Sequence, residues 1–191
     1  MKKEIEVKAK VKNSDAVIAK LSALGVSLSE PVHQEDAIYT NFSDKEFSDF
    51  KPGINFLRIR KSGGKILFTL KQSLINELEG IEKELEISSA QEMDEILVLM
   101  GYHRAVEVIK VRRKAKYKDY EICLDEVKTL GVFLEIEKIT DEDSEKVQNE
   151  MLDLLMSFGI EKEDRVLNGY DTLVFMKKHN ITWNKTSAKN L

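Results

Sequence analysis

The first strand of the chain constrains its fold more than any other feature. Charged residues Glu4, Glu6, Lys8, Lys10 and Lys12 alternate with apolar Ile5, Val7, Ala9 and Val11. A period of two belongs to a β-strand, whose successive side chains point to opposite faces. One face is therefore apolar, and the other carries Glu4, Glu6 and Lys8 in a row. Carboxylates set this close repel each other unless a cation lies between them. The same alternation returns in the stretches 54–60, 65–71, 81–87, 105–114, 118–125 and 132–138. A chain built this way must find an interior or a partner for many charges as well as for its apolar residues.

Between these strands the period changes. Asn13-Ser14 caps a helix to about Leu24, with Val17, Ile18, Leu21 and Leu24 at helical spacing and Gly25 as its stop. A strand is expected over 32–40, then a polar, flexible loop over 41–53. Ser62-Gly63-Gly64 reads as a hairpin turn. Ser89-Ala-Gln-Glu92 is a capping box opening a helix with Met93, Ile96, Leu97 and Met100 inward. A further helix over 144–158 turns Val147, Met151, Leu154 and Leu155 inward, and a short terminal helix is expected over 168–177. The expected organisation is one domain over 1–178 and a polar, frayed tail over 179–191. Hairpins join most neighbouring strands, so the sheet should be antiparallel. The fold class is α+β: an eight-stranded antiparallel β-barrel or tunnel with flanking helices, because closure buries both faces and removes exposed edges.

Composition narrows the function classes. The net charge of −4 argues against a general nucleic-acid binder. The single cysteine, Cys123, excludes an internal disulfide or a cysteine metal cluster. No long apolar run is present and the start of the chain is a charged strand, so a cytoplasmic protein without a membrane span is expected.

Taken strand by strand, the inward acids are Glu4, Glu6, Glu82, Glu84, Asp125, Glu135 and Glu137, and the inward bases are Lys8, Arg58, Arg60, Lys71, Lys110 and Arg112. For any single strand the ordinary reading is a solvated face. Recurrence weighs against it here, because the charges are segregated by strand. Burying so many makes sense when they pair with each other or with a ligand. A polyanion bound with a divalent metal satisfies both signs. Arginine forks and lysine ammonium groups hold phosphate oxygens, and carboxylates hold Mg²⁺ or Mn²⁺.

The motifs also resemble a known family. Glu4-x-Glu6-x-Lys8 is similar to the ExExK signature of the CYTH superfamily, the triphosphate tunnel metalloenzymes. The likeness continues in order through Gln34-x-Asp36-x-x-Tyr39, Leu57-Arg-Ile-Arg60, Phe68-Thr-Leu-Lys71, Glu82-Lys-Glu84, Lys110-Val-Arg112-Arg113, Leu124-Asp125 and Leu130-Gly-Val-Phe-Leu-Glu135-Ile-Glu137. That resemblance implies that Lys8, Arg58, Arg60, Lys71, Lys110 and Arg112 grip a triphosphate, and that Glu4, Glu6, Asp125, Glu135 and Glu137 hold one or two divalent metals. Glu6, Asp125 and Lys8 are the implied catalytic residues. Glu82 and Glu84 match an acidic middle strand whose role stays open.

Within the superfamily the chain looks most like the class IV adenylyl cyclase group, which also carries the Gly169-Tyr170-x-x-Leu173 stretch. The implied reaction is ATP to cyclic AMP and pyrophosphate. Inorganic triphosphatases and thiamine triphosphatases share the tunnel, so tripolyphosphate and thiamine triphosphate stay open as substrates; in that case Lys8, with its pKa lowered by neighbouring cations, is the expected general base. The resemblance to the cyclase group is also compatible with a homodimer. A non-catalytic polyanion binder is disfavoured, since it would do better without the acids.

Other residues read more simply. His33, His103 and His179 lack metal-ligand spacing. Arg113 is out of phase with Arg112 and should face away. Cys123 is read as a small packing residue that shares the phase of Asp125, and Tyr39 is equally a base contact or a core aromatic.

Overall fold

The computed structural model describes residues 2–43 and 51–181. In chain order the strands are β1 (Lys3–Lys10), β2 (Val32–Thr40), β3 (Asn55–Ser62), β4 (Lys65–Ser73), β5 (Glu79–Glu86), β6 (His103–Tyr117), β7 (Tyr120–Val127), β8 (Gly131–Thr140) and the two-residue β9 (Arg165–Val166). The helices are α1 (Ser14–Ala23), α2 (Ala90–Leu99), α3 (Ser144–Ser157) and α4 (Tyr170–Lys178). Neighbours run in the order β5-β4-β3-β2-β6-β7-β8-β1, all antiparallel, and β5 pairs back onto β1. The result is the closed eight-stranded antiparallel barrel that the alternating pattern required.

Closure itself is short. Glu4 faces Gly80 and Ile5 faces Glu79, with one more hydrogen bond from the Glu6 N–H to the Leu78 carbonyl at 2.9 Å. Gly80 also pairs with Ser73 on its other side, and a Cβ built on it would stand 2.9 Å from the Gln72 carbonyl oxygen. The glycine is what lets the strands approach at the seam.

The barrel is inverted relative to a simple sandwich, with charges inside and apolar side chains outside under the helices. Ile5, Val7, Ala9 and Val11 pack with Ile122, Leu124, Leu134 and Ile136 beneath Val17 and Leu21 of α1 and Val147, Met151 and Leu155 of α3. On the far side Leu97 of α2 joins Tyr39, Leu57 and Ile59. Helix caps follow the sequence signals: Asn13, Ser89 and Asp143 each accept a hydrogen bond from a backbone N–H three residues on. Between β3 and β4, Gly63 and Gly64 both take positive φ, at 56° and 81°, as a two-residue turn needs.

Several expectations are corrected. The inward face assigned to α2 is too wide, because Leu97 is buried while Ile96 and Met100 are 47% and 64% exposed. The helix meets the sheet through a narrow line of contact, and Met93 only flanks it. Strand β7 begins at Tyr120 rather than Lys118, since Lys118 has φ of 56° and forms the β6–β7 turn with Asp119. The strand β9 carried no alternation to reveal it. Most of the loop expected over 41–53 and of the tail over 179–191 lies outside the described residues.

Candidate active site

The charged faces of the strands line one cavity of about 560 Å³ through the barrel. Each sequence-predicted site residue apart from Asp125 lines it directly, and Asp125 lies in its wall behind Lys110 and Arg112. Arg113, as its phase required, turns outward and donates to the Ser29 carbonyl at 2.9 Å.

On the β6–β7–β8–β1 side the charges interlock. Arg112 donates to both oxygens of the fully buried Asp125, at 2.7 and 2.5 Å, contacts Glu135, and stands 3.5 Å from Glu137. Lys110 lies 3.3 Å from Asp125. Lys8 sits 3.1 Å from Glu135 and 3.0 Å from Glu6. Strand register makes this possible, since Lys8 pairs with Glu135, Glu6 with Glu137, and Arg112 with Asp125.

On the β2–β3–β4–β5 side Arg58 donates to Glu82 at 2.6 Å, Glu84 at 3.3 Å and Thr69 at 3.2 Å. Arg60 forms a two-point pair with Asp36, at 2.6 and 2.7 Å. Lys71 makes no ion pair within 4.0 Å among the described residues, although Glu6, Glu4 and Glu82 all act on it and hold its pKa up against burial.

The five carboxylates expected at a metal separate into two sets. Oxygens of Glu4, Glu6 and Glu137 lie within 4.8 Å of one another, whereas Asp125 and Glu135 are held by cations. The electrostatics follow this division. Burial, reinforced by Glu137, pushes Glu4 up to about 8, and burial with Glu135 pushes Glu6 up to about 7. Glu137 is also raised, by burial first. Burial opposes the charge of Glu135 too, but Lys8 and Arg112 overcome it and hold the carboxyl well below its ordinary value. Protons accumulate where burial and neighbouring carboxylates outweigh the cations, as at Glu6 despite Lys8 at 3.0 Å.

A divalent metal fits that trio. The donors are oxygens, which suit hard cations. Glu6 Oε1 is buried and has no well-formed hydrogen bond among the described residues, despite its closeness to Lys8. A second group, Glu121, Cys123 and Glu137, also comes within 4.8 Å. Cys123 is fully buried behind the cavity lining beside Glu121, in keeping with a packing residue, and burial with Glu137 nearby pushes its thiol far up.

One expectation is reversed. Neighbouring cations were expected to lower Lys8. Burial does lower it, but Glu6 and Glu135 more than offset burial and leave it raised. Lys110 is the lysine that falls, through burial and the adjacent Arg112.

The sequence reading left out Asp36, Thr69 and Tyr170. The first two share strand faces with residues that were chosen, and phase alone could have flagged them. Tyr170 comes from α4, and no strand period points to it. Tyr39 lies outside the tunnel among Leu57, Ile59 and Leu97, with its hydroxyl on Asp94.

The sequence profile of the CYTH domain matches residues 2–170. A candidate adenylate cyclase of Methanocaldococcus jannaschii is 32% identical over 171 residues, covering 87% of this chain and 95% of the relative. Among solved structures, a Pyrococcus horikoshii OT3 protein superposes with a TM-score of 0.76 at 28% identity, covering 90% of this chain and 99% of its own. A candidate adenylyl cyclase from Hippeastrum, described as having a dominant triphosphatase activity, shares the fold at a TM-score of 0.61 and 18% identity, with 94% of this chain and 96% of its own covered. No helix among the described residues is long and apolar enough to cross a membrane.

Proposed function

The chain belongs to the CYTH domain family, and on that premise we propose that it is a divalent-metal-dependent enzyme of triphosphate substrates, acting first as a class IV-type adenylyl cyclase on ATP. One observation carries this reading: one cavity through the barrel holds both a proton-retaining trio of carboxylates and two banks of cations. The trio asks for a metal and the banks for a polyanion, and a metal-bound triphosphate supplies both.

Glu4, Glu6 and Glu137 would hold Mg²⁺ or Mn²⁺, with Asp125 and Glu135 as further carboxylates in reach of rearrangement. When bound, the metal supplies charge neutralisation and a lowered pKa for a coordinated hydroxyl or water. Arg58, Arg60 and Lys71 on one wall, and Lys8, Lys110 and Arg112 on the other, would grip the phosphates. In the cyclase reaction the ribose 3′-hydroxyl gives up its proton to water as its oxygen bonds to the α-phosphorus, the bond from that phosphorus to the bridging oxygen breaks, and pyrophosphate leaves. The cations stabilise the charge developing on that leaving group, and their ion pairs fix them in place beforehand. Lys8 serves as a permanent cation, because its two carboxylates keep it protonated.

The Hippeastrum neighbour favours a second reading, hydrolysis of the terminal phosphate of tripolyphosphate or thiamine triphosphate. The two reactions share these residues and differ in which phosphorus meets the nucleophile. Product analysis separates them: the protein is incubated with ATP, tripolyphosphate or thiamine triphosphate, with Mg²⁺, Mn²⁺ or EDTA. Cyclic AMP and pyrophosphate from ATP support the cyclase. Orthophosphate without cyclic AMP replaces it with the triphosphatase, and no metal-dependent turnover of any substrate defeats both.

A further inference from the structure

Helix α4 lies across one end of the barrel. Phe175 packs with Ile38 and Val106, and Tyr170 packs with Val108, Val127, Phe133 and Val166. These strand residues sit near the end of β2, the first part of β6, the end of β7 and the start of β8, so they mark one rim. The start of α4 is tied down from the β4–β5 connection, where Glu77 accepts from the Gly169 N–H at 2.7 Å and from Asn168 Nδ2 at 3.0 Å.

Tyr170 is the part of α4 that reaches the site. Its ring lies beneath two ammonium groups, with Lys8 Nζ 4.2 Å and Lys110 Nζ 4.8 Å from the ring centroid. Phe133 braces the ring edge-on at 5.3 Å. The residue is 7% exposed, yet its hydroxyl has no hydrogen-bond partner among the described residues. Tyr170 lines the barrel cavity together with Lys8, Lys110, Arg112 and Glu135.

A buried hydroxyl with no partner costs stability, and native structures rarely leave one so. Here it belongs to a ring that carries two lysine ammonium groups over its face, in a cavity lined with cations. We propose that the Tyr170 hydroxyl is a substrate ligand that donates a hydrogen bond to a phosphate oxygen seated over Lys8 and Lys110 at the α4 end of the tunnel. The inference rests on the triphosphate reading and adds a residue from outside the strands to it. The ring positions the two ammonium groups from below, and the hydroxyl contributes a neutral donor beside them.

The test compares the intact protein with Tyr170→Phe, which keeps the ring and removes only the oxygen. Calorimetric titration uses inorganic tripolyphosphate with Mg²⁺, and melting is followed without ligand. Two shifts of opposite sign are expected. Tripolyphosphate should bind about tenfold more weakly, as for loss of a hydrogen bond to a charged group. The ligand-free variant should melt as high as the parent or about 3 °C higher, because an unsatisfied buried group has gone. Equal affinity in the two proteins overturns the proposal, as does a variant that melts lower and loses affinity only in proportion. Failure of the parent itself to bind tripolyphosphate removes the triphosphate reading along with it.

Discussion

Arg60 and Asp36 hold each other through two parallel hydrogen bonds, Nε to Oδ1 at 2.6 Å and Nη2 to Oδ2 at 2.7 Å, both groups buried. The pair neutralises, inside the protein, an arginine expected to neutralise substrate. Asp36 is held well below its ordinary pKa, since Arg60 overcomes the effect of burial. Such forks have fixed geometry, so the ligand meets an arginine already aimed.

Breaking that pair should expose what it holds. Asp36→Asn leaves Arg60 buried without a counter-charge and should lower stability by about 3 kcal/mol. Tripolyphosphate should then raise the melting temperature more in the variant than in the parent, since the anion replaces the missing charge. Melting curves with and without ligand decide it, and an equal or smaller shift in the variant counts against a phosphate at Arg60.

The carboxylate trio predicts an unusual pH dependence. Glu4 and Glu6 hold protons to about pH 8 and 7 in the folded state, against 4.5 ordinarily. Between about pH 4.5 and 8 the folded protein therefore binds more protons than the unfolded chain, and stability without metal falls as pH rises through that window. We expect a loss of about 1 kcal/mol or more, read as about 3 °C in melting temperature between pH 5.5 and 8.5 with EDTA. Mn²⁺ should reverse the slope, because it displaces those protons. Glu137→Gln should flatten the metal-free slope and reduce turnover by about 100-fold or more. A metal-free protein whose stability is flat or rises across the window would contradict the assignment.

Lys71 offers a cleaner test of the cationic wall than the paired arginines, because it makes no ion pair within 4.0 Å among the described residues. Lys71→Met keeps the side-chain length and should weaken Mg²⁺-tripolyphosphate binding by about tenfold. Removing a cation that three carboxylates act on should cost little stability with the metal bound. Titration calorimetry reads the first effect and denaturant melts the second.

Gly80 should be intolerant of any side chain. The 2.9 Å overlap of a Cβ with the Gln72 carbonyl involves backbone, which cannot swing away as a side chain would. Gly80→Ala should cost about 2 kcal/mol, measured by urea unfolding. An alanine variant as stable as the parent would mean that the β1–β5 seam is looser than its pairing implies.

The sequence on its own determined the strands, their inward residues and the closed barrel, because a two-residue period is a local property and each charged face had to be hidden. It also determined much of the lining, since Glu6, Lys8, Arg112 and Glu135 follow from phase alone. Only the tertiary structure decided which charge meets which. Register set Lys8 against Glu135 and Arg112 against Asp125, leaving Glu4, Glu6 and Glu137 to share protons. That assignment helped reverse the expected sign at Lys8, since Glu135 of the neighbouring strand joins Glu6 of its own strand in keeping it protonated. Tyr170 shows the same limit: it reaches the tunnel from a helix laid across the barrel's end, a position that no period along the chain encodes.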